Sequence, residues 1–270
     1  MSGRILVVGG SDNTGAGGVQ GDVKTVTALG GDAATAVTCL TVQDGEGIHE
    51  VATVAPDIIR RQIETVLSGR GVDAVKIGLL IDAASVDAVV EPLDRAGTLP
   101  IVIDAALRAR DGRVLADGAT VAHLKRRLVD RARVLVATVP DASVLAGTEI
   151  ATLEDKRHVA DMLRTTGAET IVLTDEDGPD DMVVDYIAGA GEDEQVLSFP
   201  RPRGRRVRGV SGAFATAVAL FIGRGSDPAT AIQHARMYVA GAVAHAPDTG
   251  EATDPLNHAY AALFEPLQRG

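Results

Sequence analysis

The chain lacks tryptophan entirely, and its only other aromatics are three tyrosines and four phenylalanines. It has one cysteine, Cys39, which excludes an internal disulfide and any metal centre built on several cysteines. The setting of that cysteine, A-V-T-C-L-T-V, is apolar and β-prone, so a buried structural thiol is expected there rather than a nucleophile. Positive charge is also in deficit. Twenty-six Lys and Arg stand against 37 Asp and Glu, a net charge of −11, which argues against nucleic acid as the main partner. No apolar run reaches membrane-spanning length, and M-S-G-R-I-L-V-V-G-G contains no signal-peptide core. A reducing, cytoplasmic location without membrane attachment is the expectation.

What the chain does have is 46% hydrophobic residues over 270 positions, enough for a substantial core in a single domain spanning 1–270. Short apolar runs at 5–8, 34–42, 74–77 (with Leu79 and Leu80), 101–103, 134–136 and 170–173 read as strands. Between them, apolar residues recur at helical spacing over 19–29, 57–67, 84–95, 121–128 and 153–166, with a short helix opening at Pro140. Segments 181–187 and 195–199 read as an antiparallel pair joined by the acidic loop 189–194. Helices from about Ala213, over 227–244 and over 255–267 follow. Such alternation predicts a three-layer α/β/α fold with a mainly parallel central sheet and an antiparallel edge.

Ligands of an open parallel sheet gather beyond the carboxyl ends of its strands. The polar residues this reading puts there are Ser11 and Asp12, Gln43 and Asp44, Lys76, Asp104, Thr138 and Asp141, and Thr174 to Asp177. A second candidate is the turn Gly209, Val210, Ser211, Gly212, which runs straight into an alanine-rich helix. Its glycines let backbone N–H groups converge, and the helix adds the positive end of its dipole, which together make an anion site. Arg201, Arg203, Arg205, Arg206 and Arg208 lead into it, either to hold an anion or to balance the acidic 175–194 region.

The motifs S-D-N-T-G-A-G-G-V-Q-G-D-V-K-T, L-T-V-Q-D-G-E-G-I and K-I-G-L-L occur in that order, followed by Asp104, Pro140-Asp141-Ala142, the Gly209 turn, A-R-M-Y-V-A-G-A-V and P-L-N-H. In this the chain resembles the hydroxymethylpyrimidine and phosphomethylpyrimidine kinases of thiamine synthesis, in the ribokinase-like superfamily. The resemblance implies a ribokinase-like fold, ATP as phosphoryl donor with Mg2+, a pyrimidine acceptor or a pyridoxal-like variant of it, and a homodimer. It also implies that Asp22 and Gln43 contact the pyrimidine between Val42 and Leu79. On the nucleotide side it implies Asp104, Thr138, Asp141, Thr174 and Arg208, with Asp141 supporting the metal.

The phosphate half departs from the family. A turn that reads G-T-G-C, or G-A-G-D more widely, reads G-V-S-G here, so Gly212 offers neither thiolate nor carboxylate. Ser211 takes a glycine's place, and an unassisted hydroxyl is too weakly basic to replace the missing group. A T-P-N-x-x-E-A-like segment stands as V-A-T-V-P-D-A, and a K-G-G-H-like one as T-D-E-D. Two readings follow: a kinase acting on hydroxymethylpyrimidine or its monophosphate, and a non-catalytic relative that binds a pyrimidine as sensor, carrier or partner.

Overall fold

The computed structural model describes residues 3–109, 111–175, 182–189, 194–200 and 206–261. Its first unit is β1 (Arg4–Asp12), α1 (Gly18–Ala28) and β2 (Asp32–Gln43), continued by an edge strand β3 (Ile48–Thr53). Four further helix–strand units follow: α2 (Pro56–Ser68) and β4 (Ala74–Ile77), α3 (Ala83–Arg95) and β5 (Ile101–Asp104), α4 (Gly118–Arg127) and β6 (Val134–Thr138), then α5 (Val139–Ala146), α6 (Leu153–Thr165) and β7 (Ile171–Thr174). The chain closes with β8 (Met182–Ala188), β9 (Gln195–Pro200), β10 (Val207–Arg208), α7 (Val210–Gly223), α8 (Pro228–Ala244) and β11 (Asp254–Pro255).

The nine-stranded sheet runs β3-β2-β1-β4-β5-β6-β7-β8-β9. Its central pairs are parallel, while β3, β8 and β9 pair antiparallel at the two ends. Side chains alternate across a strand, and β1 shows the result: Leu6 and Val8 join a core with Ile59, Val89, Leu124 and Val159 on one face, Ile5 and Val7 a core with Val26, Phe214, Val218 and Val239 on the other. Helices α2, α3, α4 and α6 cover the first face, and α1, α7 and α8 the second. Cys39 lies fully buried in this packing, and burial pushes its thiol up.

Three features differ from the sequence reading. First, β3 is an extra strand; I-H-E-V-A-T carries little apolar signal because it pairs on one edge only and four of its six residues are exposed. Second, α7 starts at Val210, three residues early, because Gly209 at φ +86° turns the chain directly into the first helical residue. Third, 255–261 are not helical: Pro255 lies in β11, which pairs parallel with β10 through Val207–Asp254 and Arg208–Pro255. The rest of that proposed helix, most of the acidic 189–194 loop, Glu176 and Asp177, and Arg201, Arg203 and Arg205 lie outside the described residues.

Candidate active site

The carboxyl ends of β1, β2, β4, β5 and β6 and the first turn of α7 surround one region. At the end of β1, the Asp12 carboxylate accepts from Thr14 N at 2.8 Å, Thr14 Oγ1 at 2.7 Å and Gly17 N at 2.7 Å, which folds loop 13–17 around it. Asn13 fastens this loop to β2: its Nδ2 donates to the Gln43 carbonyl at 3.0 Å and its Oδ1 accepts from Gln43 N at 2.8 Å. The Gln43 side chain is half-buried, with Nε2 donating to Thr41 Oγ1 at 3.1 Å. Leu79 is also half-buried, and its carbonyl accepts from Thr38 Oγ1 at 2.8 Å. Val42, by contrast, is 53% exposed beside an equally exposed Leu40, so it forms an outer surface of the β2–β3 hairpin.

Loop and turn meet at Gly209. A Cβ built there would lie 2.0 Å from the Ala16 carbonyl oxygen, so close approach and positive φ both demand glycine. With Gly209 as N-cap there is no side-chain cap and no acidic residue in the first turn of α7. The first-turn amides of Val210, Ser211 and Gly212 therefore face outward at the positive end of a 14-residue helix, the arrangement that receives an anion. Arg208 does not join them: its Nη1 donates to the Asp44 carbonyl at 2.9 Å and its Nη2 lies 3.5 Å from Glu251 Oε2, tying the turn to the hairpin.

A buried charge cluster lies under the turn. Lys76 at the end of β4 donates to Asp22 Oδ2 at 3.0 Å and Oδ1 at 3.2 Å, and its Nζ is 3.5 Å from Asp104 Oδ2. Thr216, in the second turn of α7, donates to Asp22 Oδ1 at 2.7 Å. Lys76, Asp22 and Asp104 are 3%, 2% and 6% exposed. Burial works to lower the Lys76 pKa, but the two carboxylates outweigh it and hold the amine up and charged. Ser211 Oγ donates to Asp104 Oδ1 at 2.7 Å. A Cβ at Gly212 would be 3.5 Å from Asp22 Oδ1, 3.7 Å from Asp104 Oδ2 and 3.9 Å from Lys76 Nζ, so the missing side chain would point at this cluster.

Asp141 stands on the β6 side. Its Oδ2 accepts from Thr138 Oγ1 at 2.7 Å and its Oδ1 from Leu107 N at 3.2 Å. Burial pushes the Asp141 carboxyl up to about 6, helped by the charge of Asp104 and opposed by the Thr138 hydroxyl and the Leu107 amide. Thr174, at the end of β7, is fully buried and accepts from Arg236 Nη2 at 3.2 Å; Arg236 also grips Asp185 at 2.6 and 2.7 Å and lies 4.2 Å above the Phe214 ring. It thus belongs to a buried polar knot behind the site.

The raised Asp141 pKa has a consequence for stability. In the unfolded chain this carboxyl titrates near 3.8, in the folded chain near 6, so its contribution is fully present below pH 3.8 and is lost as pH rises through 6. His258 acts in the opposite direction: burial and then the charge on Lys24 push it down to about 4, so its contribution is present above pH 6.5 and is lost as pH falls through 4. Comparison of Asp141→Asn with wild type isolates the first effect. Urea unfolding should show the variant gaining about 2–3 kcal/mol relative to wild type between pH 4 and pH 7. An equal pH dependence in the two proteins would show that Asp141 titrates normally.

Asp22, Lys76, Asp104, Ser211 and Gly212 thus come together, with Thr138 and Asp141 beside them, while Thr174 and Arg208 are engaged elsewhere and Val42 is exposed on the β2–β3 hairpin. Sequence reasoning marked Lys76 only as a strand-end residue and did not see Thr216 or the loop-forming role of Asp12. A lysine within the otherwise apolar strand A-V-K-I was the one available signal, since a buried cation requires anionic partners.

Comparison with known proteins agrees with this geometry. The family model described as "Phosphomethylpyrimidine kinase" matches residues 12–257. The "Thiamine biosynthesis bifunctional protein ThiED" of Geobacter sulfurreducens is 32% identical over 260 residues; the match takes in 96% of this chain but only 53% of that protein, so the chain spans about half its length. The "Hydroxymethylpyrimidine/phosphomethylpyrimidine kinase" of Streptomyces coelicolor is 30% identical, with 95% of this chain and 94% of that one covered. Among solved structures, an ADP complex of Bacillus subtilis pyridoxal kinase superposes with a TM-score of 0.88 at 25% identity, covering 97% and 99% of the two chains. The fold is ribokinase-like, and the chain belongs to the phosphomethylpyrimidine kinase family.

Proposed function

We propose that the chain, as one domain, transfers the γ-phosphoryl group of ATP to the hydroxymethyl group of hydroxymethylpyrimidine, or to the phosphate of its monophosphate. The observation that carries this reading is the uncapped first turn of α7 set directly over Asp22, Lys76 and Asp104. Phosphoryl transfer needs positioning and charge stabilisation more than covalent chemistry. Backbone amides of Val210, Ser211 and Gly212 stabilise the equatorial oxygens of the transferring group. Gln43 matches the donor and acceptor edge of an aminopyrimidine with its amide, and Leu79 provides an apolar wall. Asp22, held by Lys76 and Thr216, presents Oδ1 to an acceptor group lying over Gly212.

Mg2+ takes one or two carboxylates together with phosphate oxygens and water. Asp141 and Asp104 fit that demand, since a carboxyl raised by burial gains from a nearby cation, and among the described residues no cluster of three or more His, Cys, Asp or Glu forms a closed metal cage. When bound, the metal supplies neutralisation of the phosphate charge. No helix among the described residues is long and apolar enough to cross a membrane. A homodimer is the expected solution form, open to light scattering. No observation favours a binding-only relative.

The direct test is incubation of purified protein with Mg–ATP and hydroxymethylpyrimidine, its monophosphate or pyridoxal, following ADP and the phosphorylated product by 31P NMR. Pyrimidine-dependent ADP release is expected. No transfer above the uncatalysed rate with either pyrimidine would remove the reading, and faster turnover of pyridoxal would reassign the acceptor.

A further inference from the structure

The carboxyl end of β2 carries an amide whose donor and acceptor ends are assigned by its neighbours. Thr41 is 7% exposed, so its hydroxyl is shielded from water, and Oγ1 donates at 2.9 Å to the Ser11 carbonyl of β1. A carbonyl only accepts, so the single hydroxyl proton is committed there and Thr41 can do no more than accept from Gln43. The Gln43 atom 3.1 Å away is therefore Nε2 and not Oε1. The backbone beneath is fixed as well: the Asn13 side chain donates to the Gln43 carbonyl at 3.0 Å and accepts from Gln43 N at 2.8 Å. Among the described residues Gln43 Oε1 has no hydrogen-bond partner, and the side chain is half-buried. Gln43 thus presents a free acceptor beside the second N–H of Nε2, in an order that Thr41 does not let it reverse.

We propose that Thr41 is a positioning residue that sets acceptor specificity: by fixing the sense of the Gln43 amide, it makes the site take a pyrimidine carrying an amino group and refuse the same ring carrying an oxo group. This rests on the acceptor half of the kinase reading above. An amino-substituted pyrimidine offers an N–H to Oε1 and its unprotonated ring nitrogen to the second N–H of Nε2. In the amide-like form of the oxo analogue, the carbonyl accepts and the neighbouring ring nitrogen carries the proton. Acceptor then meets acceptor and donor meets donor. An amide free to turn over would satisfy either edge, whereas one held by Thr41 satisfies only the first. Thr41 acts through Gln43 alone.

The test measures, by calorimetry, the Kd of hydroxymethylpyrimidine and of its oxo analogue for wild type, Thr41→Val and Thr41→Ser. Thermal melting serves as the folding control, and turnover of both compounds with Mg–ATP is followed in parallel. Wild type should favour the amino compound by about 10–100-fold, the effect of leaving the polar groups of one edge unpaired. In Thr41→Val, which keeps the branched shape and loses the hydroxyl, that preference should shrink by about tenfold, chiefly because the oxo analogue binds more tightly. Damage to the fold does not produce tighter binding of the wrong ligand. Thr41→Ser keeps the hydroxyl and should keep the preference. Equal binding of the two compounds by wild type overturns the proposal whether or not Thr41→Val folds. An unchanged preference in folded Thr41→Val, or an equal loss of it in Thr41→Ser, overturns it too and leaves the kinase standing. Thr41-dependent selective binding without phosphoryl transfer removes the kinase reading and leaves the specificity device in place. A protein that neither binds nor phosphorylates either compound overturns both.

Discussion

Replacement of Lys76 by methionine should lower folding stability by about 3–5 kcal/mol at pH 7, the cost of leaving a buried charge without its partner. Methionine preserves most of the side-chain volume, so the loss is electrostatic rather than a cavity effect. Without the amine, Asp22 and Asp104 keep only hydroxyl donors, Thr216 and Ser211, in a region where both are almost fully buried. Such carboxylates respond by taking up protons, so the deficit should shrink on acidification. Urea unfolding of Lys76→Met at pH 7 and pH 5 measures both effects. The double variant Lys76→Met/Asp22→Asn removes charges of both signs and should recover a large part of the loss. A single variant within about 1 kcal/mol of wild type at pH 7 would show that the cluster is solvated in solution.

Alanine at Gly209 should do comparable damage through the backbone. A residue other than glycine at φ +86° costs about 1–2 kcal/mol, and the new Cβ would overlap the Ala16 carbonyl oxygen at 2.0 Å. Neither partner yields easily: Ala16 belongs to the loop that Asp12 gathers, and the turn is fixed below by the helix it begins. The variant should lose about 2–4 kcal/mol of stability and, with its first-turn amides displaced, most of its turnover on both acceptors. Near-normal kcat in Gly209→Ala would mean that the α7 amides do not hold the transferring group.

The sequence reading was strongest where one local cause suffices. Runs such as V-L-V-A-T and I-V-L-T admit little besides buried parallel strands, and the polar residues just beyond them do collect at one end of the sheet. It was weaker at β3, whose alternation is blurred by solvent on one side, and at 255–261, where spacing looked helical but pairing with Val207 and Arg208 decides the backbone. The charge cluster was legible only in pieces. Asp22, Lys76 and Asp104 each carry a signal, yet the contacts that define their roles join residues 54 and 107 positions apart, and nothing in local spacing encodes them. Ser211 is the clearest case: its residue type does not announce that its hydroxyl donates to Asp104 Oδ1 at 2.7 Å.

The short ribbon of β10 and β11 ties the anion turn to the last described stretch of the chain. Residues 207–208, which aim the turn, are braced by 254–255, and the segment beyond is pinned where His258 meets Thr25 of α1 at 3.0 Å and Tyr238 donates to the His258 carbonyl at 3.0 Å. Domains fold as units, so the geometry of the anion turn depends on a segment far from it in sequence, joined to it by two backbone pairs.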